Sequence, residues 1–172
     1  VQVGMGRTGS LFAYEESGIK PDILTLAKAL GNGFPVGAML ATEQVAKAFV
    51  PGSHASTFGG NPLAMAAACA TLETLLNDRV LENCRAMGLY FRGKLEEIKQ
   101  KYQCVKAVRG KGLILAMELE TTGEEIVLRC LKKGLLINCT NGNILRFVPP
   151  LIIKADDIDR AVEILEEAMA DR

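Results

Sequence analysis

Apolar positions along this chain read as strands and helices in both halves, and a change of texture near Asp78 divides it. Residues 22–28 form an apolar run that reads as a buried strand, and 36–41 read as a second one after a glycine turn. Around them, 10–17 and 43–49 read as short helices and 51–60 as a polar loop. A longer helix starts at Asn61, whose side chain can cap free backbone amides. Pro62 suits the first turn, and an alanine-rich stretch carries the helix to about Asn77.

Beyond Asp78 the texture becomes charged and amphipathic. The segment 79–102 carries an apolar stripe of Val80, Leu81, Cys84, Met87, Leu89, Phe91, Leu95 and Ile98. The remainder predicts strands at 105–108 and 113–119, a helix at 124–133, strands at 135–139 and 144–148, and a last helix from Asp156, with Asp159 three residues on as part of its start. This pattern predicts two domains, 1–77 and 78–172, the second a compact α+β unit with helices on one face of a largely antiparallel sheet.

Bulk properties narrow the chemistry. A chain of 172 residues with 49% hydrophobic content can bury a substantial core, and 20 basic against 20 acidic residues leave no charge excess to attract nucleic acid or an anionic membrane. A small polar or ionic ligand is the expected partner. Five cysteines at irregular spacing, with no C-x-x-C pair, read as buried free thiols in a reducing compartment. No run is long enough to span a bilayer and no export signal is present, so the expected location is the cytoplasm. The opening Val1-Gln-Val reads as the tail of a strand, which suggests a piece of something longer.

Lys28 is the leading chemical candidate, because Asp22-Ile-Leu-Thr-Leu-Ala-Lys-Ala-Leu-Gly31 delivers one cation from an apolar strand into a Gly-rich turn. Burial there would disfavour the ammonium form and leave a free amine able to condense with an aldehyde, pyridoxal phosphate being the commonest. The alternative is an amphipathic segment whose lysine stem lies along the surface with its head in water.

Gly4-Met-Gly-Arg-Thr-Gly9 matches the dinucleotide fingerprint G-x-G-x-x-G, but Asp22 precedes its strand instead of ending it and the following helix is short. The glycines are therefore expected to permit tight turns. In the 51–62 loop, Ser53, His54, Ser56, Thr57, Gly59, Gly60 and Asn61 set hydroxyls and backbone amides ahead of a helix N-terminus, where a phosphate is favoured. An ordinary capped loop has the same composition. Arg146, in an apolar strand before a double proline, needs a carboxylate partner, either from a ligand or from an internal ion pair. The sole histidine, His54, has no second imidazole for a metal and is expected to hydrogen-bond within its loop.

Four blocks together carry a resemblance: Gln2 with Gly4-Met-Gly-Arg-Thr-Gly9, the Lys28 segment, Ser56-Thr-Phe-Gly-Gly-Asn-Pro-Leu63 and Leu145-Arg-Phe-Val-Pro-Pro-Leu151. In order and spacing the chain resembles the class III pyridoxal-phosphate aminotransferases, and among them the acetylornithine aminotransferases. The resemblance implies an α/β fold: part of the large domain of a fold-type I transferase, followed by a small α+β C-terminal domain. It implies pyridoxal 5'-phosphate as cofactor, a homodimer, and transfer of the amino group of N2-acetyl-L-ornithine to 2-oxoglutarate in arginine biosynthesis.

Residue by residue, it implies that Lys28 joins the cofactor and moves the proton, and that Gln2 bonds the cofactor's ring oxygen. Thr57 would bind the phosphate across the dimer, Ser56 would contact the acetylated substrate, and Arg146 would hold the α-carboxylate of glutamate or 2-oxoglutarate. Asn32 stands where the family often has glycine, and asparagine tolerates the left-handed backbone such a turn demands. Ala55 replaces another frequent glycine. The family's aspartate for the pyridine nitrogen stands just before the position of Val1, so the chain alone is expected to bind cofactor poorly. Ornithine, succinylornithine or 4-aminobutyrate transamination, a nicotinamide oxidoreductase and a non-catalytic dimerisation module are the competing readings.

Overall fold

The computed structural model describes residues 1–170 and separates into two compact units, Val1–Leu81 and one beginning at Glu82.

In the first unit the glycine-rich opening is a series of tight turns. The Arg7 N–H donates to the Gly4 carbonyl and the Gly9 N–H to the Gly6 carbonyl, with Gly6 and Gly9 at φ 87° and 94°. A 3-10 helix follows at Ala13–Ser17, where a helix over 10–17 was expected. No helix begins inside the glycines, so the context that a dinucleotide loop requires is absent.

Strand β1 (Ile23–Leu26) pairs antiparallel with β2 (Ala38–Ala41), Thr25 lying opposite Met39. The expected strand stops short of Lys28, which opens a 3-10 helix at Lys28–Gly31. That turn closes with the Leu30 N–H on the Ala27 carbonyl and the Asn32 N–H on the Ala29 carbonyl. Asn32 sits at φ 46°, the left-handed conformation that its amide side chain tolerates. A β-carbon on Gly31 would lie 2.7 Å from Val36 Cγ1, so the chain can double back there only over a glycine.

Helix α1 (Glu43–Ala46) is a single turn, and α2 (Pro62–Asn77) begins as its cap predicts, with the Asn61 side chain accepting the Ala64 N–H at 2.9 Å. Helix α2 packs against the Lys28–Gly31 turn, and its buried Ala64 and Ala68 permit close approach.

Helix α3 (Val80–Lys101) leads into an antiparallel sheet of four strands: β3 (Val105–Lys111), β4 (Ile114–Leu119), β5 (Asn138–Thr140) and β6 (Ile144–Phe147), in the order β3-β4-β6-β5. Helices α4 (Glu124–Lys132) and α5 (Ala155–Ala170) complete the unit. Alternation decides which face is covered: Leu115, Met117, Leu119, Leu145 and Phe147 join Phe91, Leu95, Ile98, Ile158 and Leu165 in one core. Phe91 meets Phe147 edge-on at 5.3 Å between ring centres.

Two local expectations are corrected here. Residues 135–137 are not strand, because the exit from α4 consumes them: Gly134 is left-handed at φ 88°, and the Leu135 N–H donates back to the Cys130 carbonyl. The start of α5 is set by Asp157, not by Asp156 and Asp159, since its carboxylate accepts the Lys154 N–H at 3.1 Å. Asp159 instead accepts the Tyr90 hydroxyl at 2.7 Å and pairs with Lys94 at 3.0 Å, tying α5 to α3. No disulfide joins the cysteines among the described residues, and Cys69 is exposed where a buried thiol was anticipated. Cys130 is buried, and desolvation pushes its thiol up to about 11.

Candidate active site

Lys28 stands two residues beyond the end of β1 with φ at 49°, a left-handed backbone that a long L side chain rarely adopts. The preceding Ala27 is fully extended (φ −163°), so the chain turns abruptly at the lysine. Sequence reasoning found the residue but not its backbone strain, a common mark of functional positions. The side chain lines a cavity of ≈ 560 Å³ with Ala29, Asn32, Gly33, Phe34, Pro35 and Val36.

Lys28 is exposed, which corrects the expectation of burial in apolar surroundings. The reason lies in the sheet: β1 is half of a two-stranded sheet whose residues are exposed or only half-buried, so no neighbouring layer covers the lysine.

Gln2 is exposed, and its neighbours Val1 and Val3 share a second cavity of ≈ 130 Å³ with Leu24, Thr25, Leu26 and Ala27. The N-terminal segment therefore lies along β1, which ends two residues before Lys28. Ser56 and Thr57 are exposed in the loop before α2, where the Gly59 N–H donates to the Ser56 carbonyl and the Asn61 N–H to the Phe58 carbonyl. Neither residue lines the Lys28 cavity. His54 packs edge-on against Phe49 at 6.1 Å between ring centres, in place of the hydrogen bond expected of it.

Arg146 lies on β6 on the sheet face opposite the core, half-buried. The register explains its isolation. Its direct neighbours are Ala116 on β4 and Asn138 on β5, neither able to neutralise a cation. The acid on that face, Glu118, is held below the usual carboxylate range by the Arg109 guanidinium first and by Lys106, 3.3 Å away, second. No ion pair or hydrogen bond of the Arg146 side chain occurs among the described residues, so the internal pair considered from the sequence is not made.

The guanidinium borders a cavity of ≈ 490 Å³ with a mainly apolar lining that includes Leu136, Val148, Pro149 and Pro150. The Asn83 side chain donates to the Leu151 and Ile153 carbonyls at 2.7 and 3.0 Å, holding the segment beyond the prolines in place. Asn138 was missed from sequence. Asn141-Gly142 marks a turn, but read as a two-residue hairpin it would pair Asn138 with Leu145; the loop is three residues, 141–143, and the extra residue sets Asn138 opposite Arg146.

These donors fit one end of pyridoxal phosphate. An accessible amine at a strained turn suits its aldehyde, and an exposed loop of hydroxyls and amides before a capped helix suits its phosphate. The Lys28 cavity carries no carboxylate for the ring nitrogen. No group of three or more metal-binding side chains occurs among the described residues, and no described helix is long and apolar enough to cross a membrane.

Known proteins share this sequence pattern and fold. The aminotransferase class-III profile matches residues 1–169. The acetylornithine aminotransferase of Caldanaerobacter subterraneus subsp. tengcongensis is 52% identical over 172 residues, covering 99% of this chain and 44% of that protein. That of Methanocaldococcus jannaschii is 50% identical, with 99% and 43% covered. The crystal structure of acetylornithine aminotransferase from Elizabethkingia anophelis superimposes with a TM-score of 0.93 at 38% identity, over 100% of this chain and 44% of that one. Ornithine δ-aminotransferase of Plasmodium falciparum gives 0.92 at 36% identity, over 99% of this chain and 45% of that one. The chain thus spans less than half the length of these relatives, and across that span its sequence and its fold are those of the class-III aminotransferase family, to which it belongs.

Proposed function

We propose that this chain contributes the lysine-bearing and carboxylate-binding parts of a pyridoxal-phosphate-dependent aminotransferase that moves the amino group of N2-acetyl-L-ornithine to 2-oxoglutarate. The observation that carries the reading is Lys28, held in a left-handed backbone at the end of β1 and bordering a cavity. The donor assignment rests on relatives named acetylornithine aminotransferase at about half identity.

Bound there, the cofactor supplies an aldehyde for the donor's nitrogen and a ring that accommodates negative charge on the carbon losing its proton. Lys28 Nζ would take that proton from the amine-bearing carbon of the donor as general base and, as general acid, deliver it to the carbon of the cofactor's aldehyde. Arg146 holds the α-carboxylate of glutamate or 2-oxoglutarate in a two-point grip. Gln2 donates to the cofactor's ring oxygen. Thr57 binds the phosphate of the cofactor in a second copy of the protein, and Ser56 contacts the acetylated donor.

In this reading residues 1–77 belong to the large domain and 78–172 form the small one. The ring-nitrogen carboxylate and the cover over Lys28 come from residues outside the chain, so these 172 residues alone turn over little or nothing. Five cysteines, none in a disulfide among the described residues, support a reducing cytoplasm.

Borohydride fixation of the full-length protein with pyridoxal phosphate, followed by peptide mapping, tests the central point. A pyridoxyl label on Lys28, lost in Lys28→Ala, is the expected result; an unlabelled Lys28 in wild type would favour a non-catalytic dimerisation module. Turnover of acetylornithine, ornithine, succinylornithine and 4-aminobutyrate side by side then tests the donor, and a preference for any of the last three overturns the assignment.

A further inference from the structure

Arg146 is half-buried on the outer sheet face, where the cations Lys106 and Arg109 are engaged by Glu118, and a carboxylate has two oxygens with about four acceptor sites. One guanidinium satisfies part of that capacity, and the rest goes to water or to another donor. The register provides one. Asn138 on β5 is the direct cross-strand partner of Arg146 on β6, so their side chains leave the sheet on the same face, and both border the same ≈ 490 Å³ cavity.

The remaining polar lining does not compete. Asp157, which accepts the Lys154 N–H in the α5 cap, is an acceptor when ionised and cannot donate to a carboxylate. Residues of the apolar lining cannot bond a carboxylate. Ala116, the neighbour of Arg146 on the other side, has no polar side-chain atom. No hydrogen bond of the Asn138 side chain occurs among the described residues, so its amide is uncommitted.

We propose that Asn138 is a substrate-binding residue, its side-chain amide donating to the carboxylate held by Arg146, so that the two form one subsite for the α-carboxylate of the 2-oxo acid. The inference rests on the aminotransferase reading and adds to it the cross-strand partner of Arg146. Its position on an edge strand is the reason it can serve. The Asn138 side chain is exposed, and replacing it disturbs no core packing.

Steady-state kinetics of the full-length protein, with 2-oxoglutarate varied at saturating amino donor, test it. Asn138→Ala removes the donor and should raise KM for 2-oxoglutarate about 3- to 10-fold while kcat stays within about 2-fold. Asn138→Asp is nearly isosteric but sets a carboxylate beside Arg146, where it competes with the substrate; KM should rise further, by about 10-fold or more over Ala. A purely structural role predicts the reverse order, with the isosteric variant close to wild type.

An unchanged KM in Asn138→Ala overturns the proposal, as does a fall in kcat alone or an Asp variant no worse than the Ala variant. Wild-type protein that transaminates no 2-oxo acid would instead overturn the aminotransferase reading itself.

Discussion

A guanidinium left without a counter-charge on a half-buried sheet face is tolerated where a ligand completes it, and Arg146 is in that position because its in-register neighbours are Ala116 and Asn138. Arg146→Gln should therefore raise KM for 2-oxoglutarate by about 10- to 100-fold, the worth of charge-assisted hydrogen bonds, with little effect on the thermal midpoint. A large fall in that midpoint would mean that the arginine is structural.

Tyr90, Lys94 and Asp159 show the opposite case, a cluster satisfied internally. Asp159 is held below its ordinary 3.8 by the Tyr90 hydroxyl first and by Lys94 second, while hydrogen bonds to Asp159 raise Tyr90 above 10.0 and Lys94 above 10.5. The signs follow from linkage. The depressed acid stabilises the fold above its unfolded pKa and ceases to as pH falls through the lower folded value. The raised groups stabilise it below their unfolded values, and that contribution is lost as pH rises through the folded ones. Urea midpoints of the full chain should fall at both ends of the pH range, and Asp159→Asn should flatten both limbs; unaltered limbs would remove the cluster from the account.

Helix α3 approaches the β3–β4 hairpin closely enough that a β-carbon on Gly88 would lie 2.4 Å from the Gly112 carbonyl oxygen. The atom in the way is backbone, so relief requires the helix or the hairpin to move. Gly88→Ala should destabilise by about 1–3 kcal/mol despite its better helix propensity, measured by denaturant unfolding. A stabilised variant would show that the two elements yield easily. At α2, Asn61→Ala removes the acceptor for the Ala64 N–H and should cost about 1 kcal/mol. Because that cap also ends the Ser56–Thr57 loop, the same variant should weaken binding of pyridoxal phosphate by the full-length protein, read by absorbance titration.

The two units differ in how well their own residues enclose them. In the second unit, α3, α5 and the inner sheet face share one core that includes Leu95, Met117, Leu145 and Ile158. In the first, Ile23, Met39, Leu40, Phe58, Leu63 and Leu76 are between 47% and 80% exposed, and a two-stranded sheet is marginal by itself. Hydrogen exchange of the 172-residue chain should show β4 and β6 protected and β1 and β2 exchanging fastest. Equal protection of both sheets would mean that the first unit is stable without further cover.

The order of elements, the cap at Asn61 and the candidates Lys28, Ser56, Thr57 and Arg146 were all legible in the chain, because turn chemistry, capping and periodicity are local. The strained backbone at Lys28, the early end of β1 and the non-strand 135–137 were not, since each depends on hydrogen bonds that close only in the folded chain. Nor could periodicity show that Lys28 is exposed, because burial depends on which layers a sheet meets. The pairing of Asn138 with Arg146 lay between the two: Asn141-Gly142 announces a turn, but only the sheet shows that the loop is one residue longer, that Glu118 is engaged elsewhere and that the arginine's charge remains for a ligand.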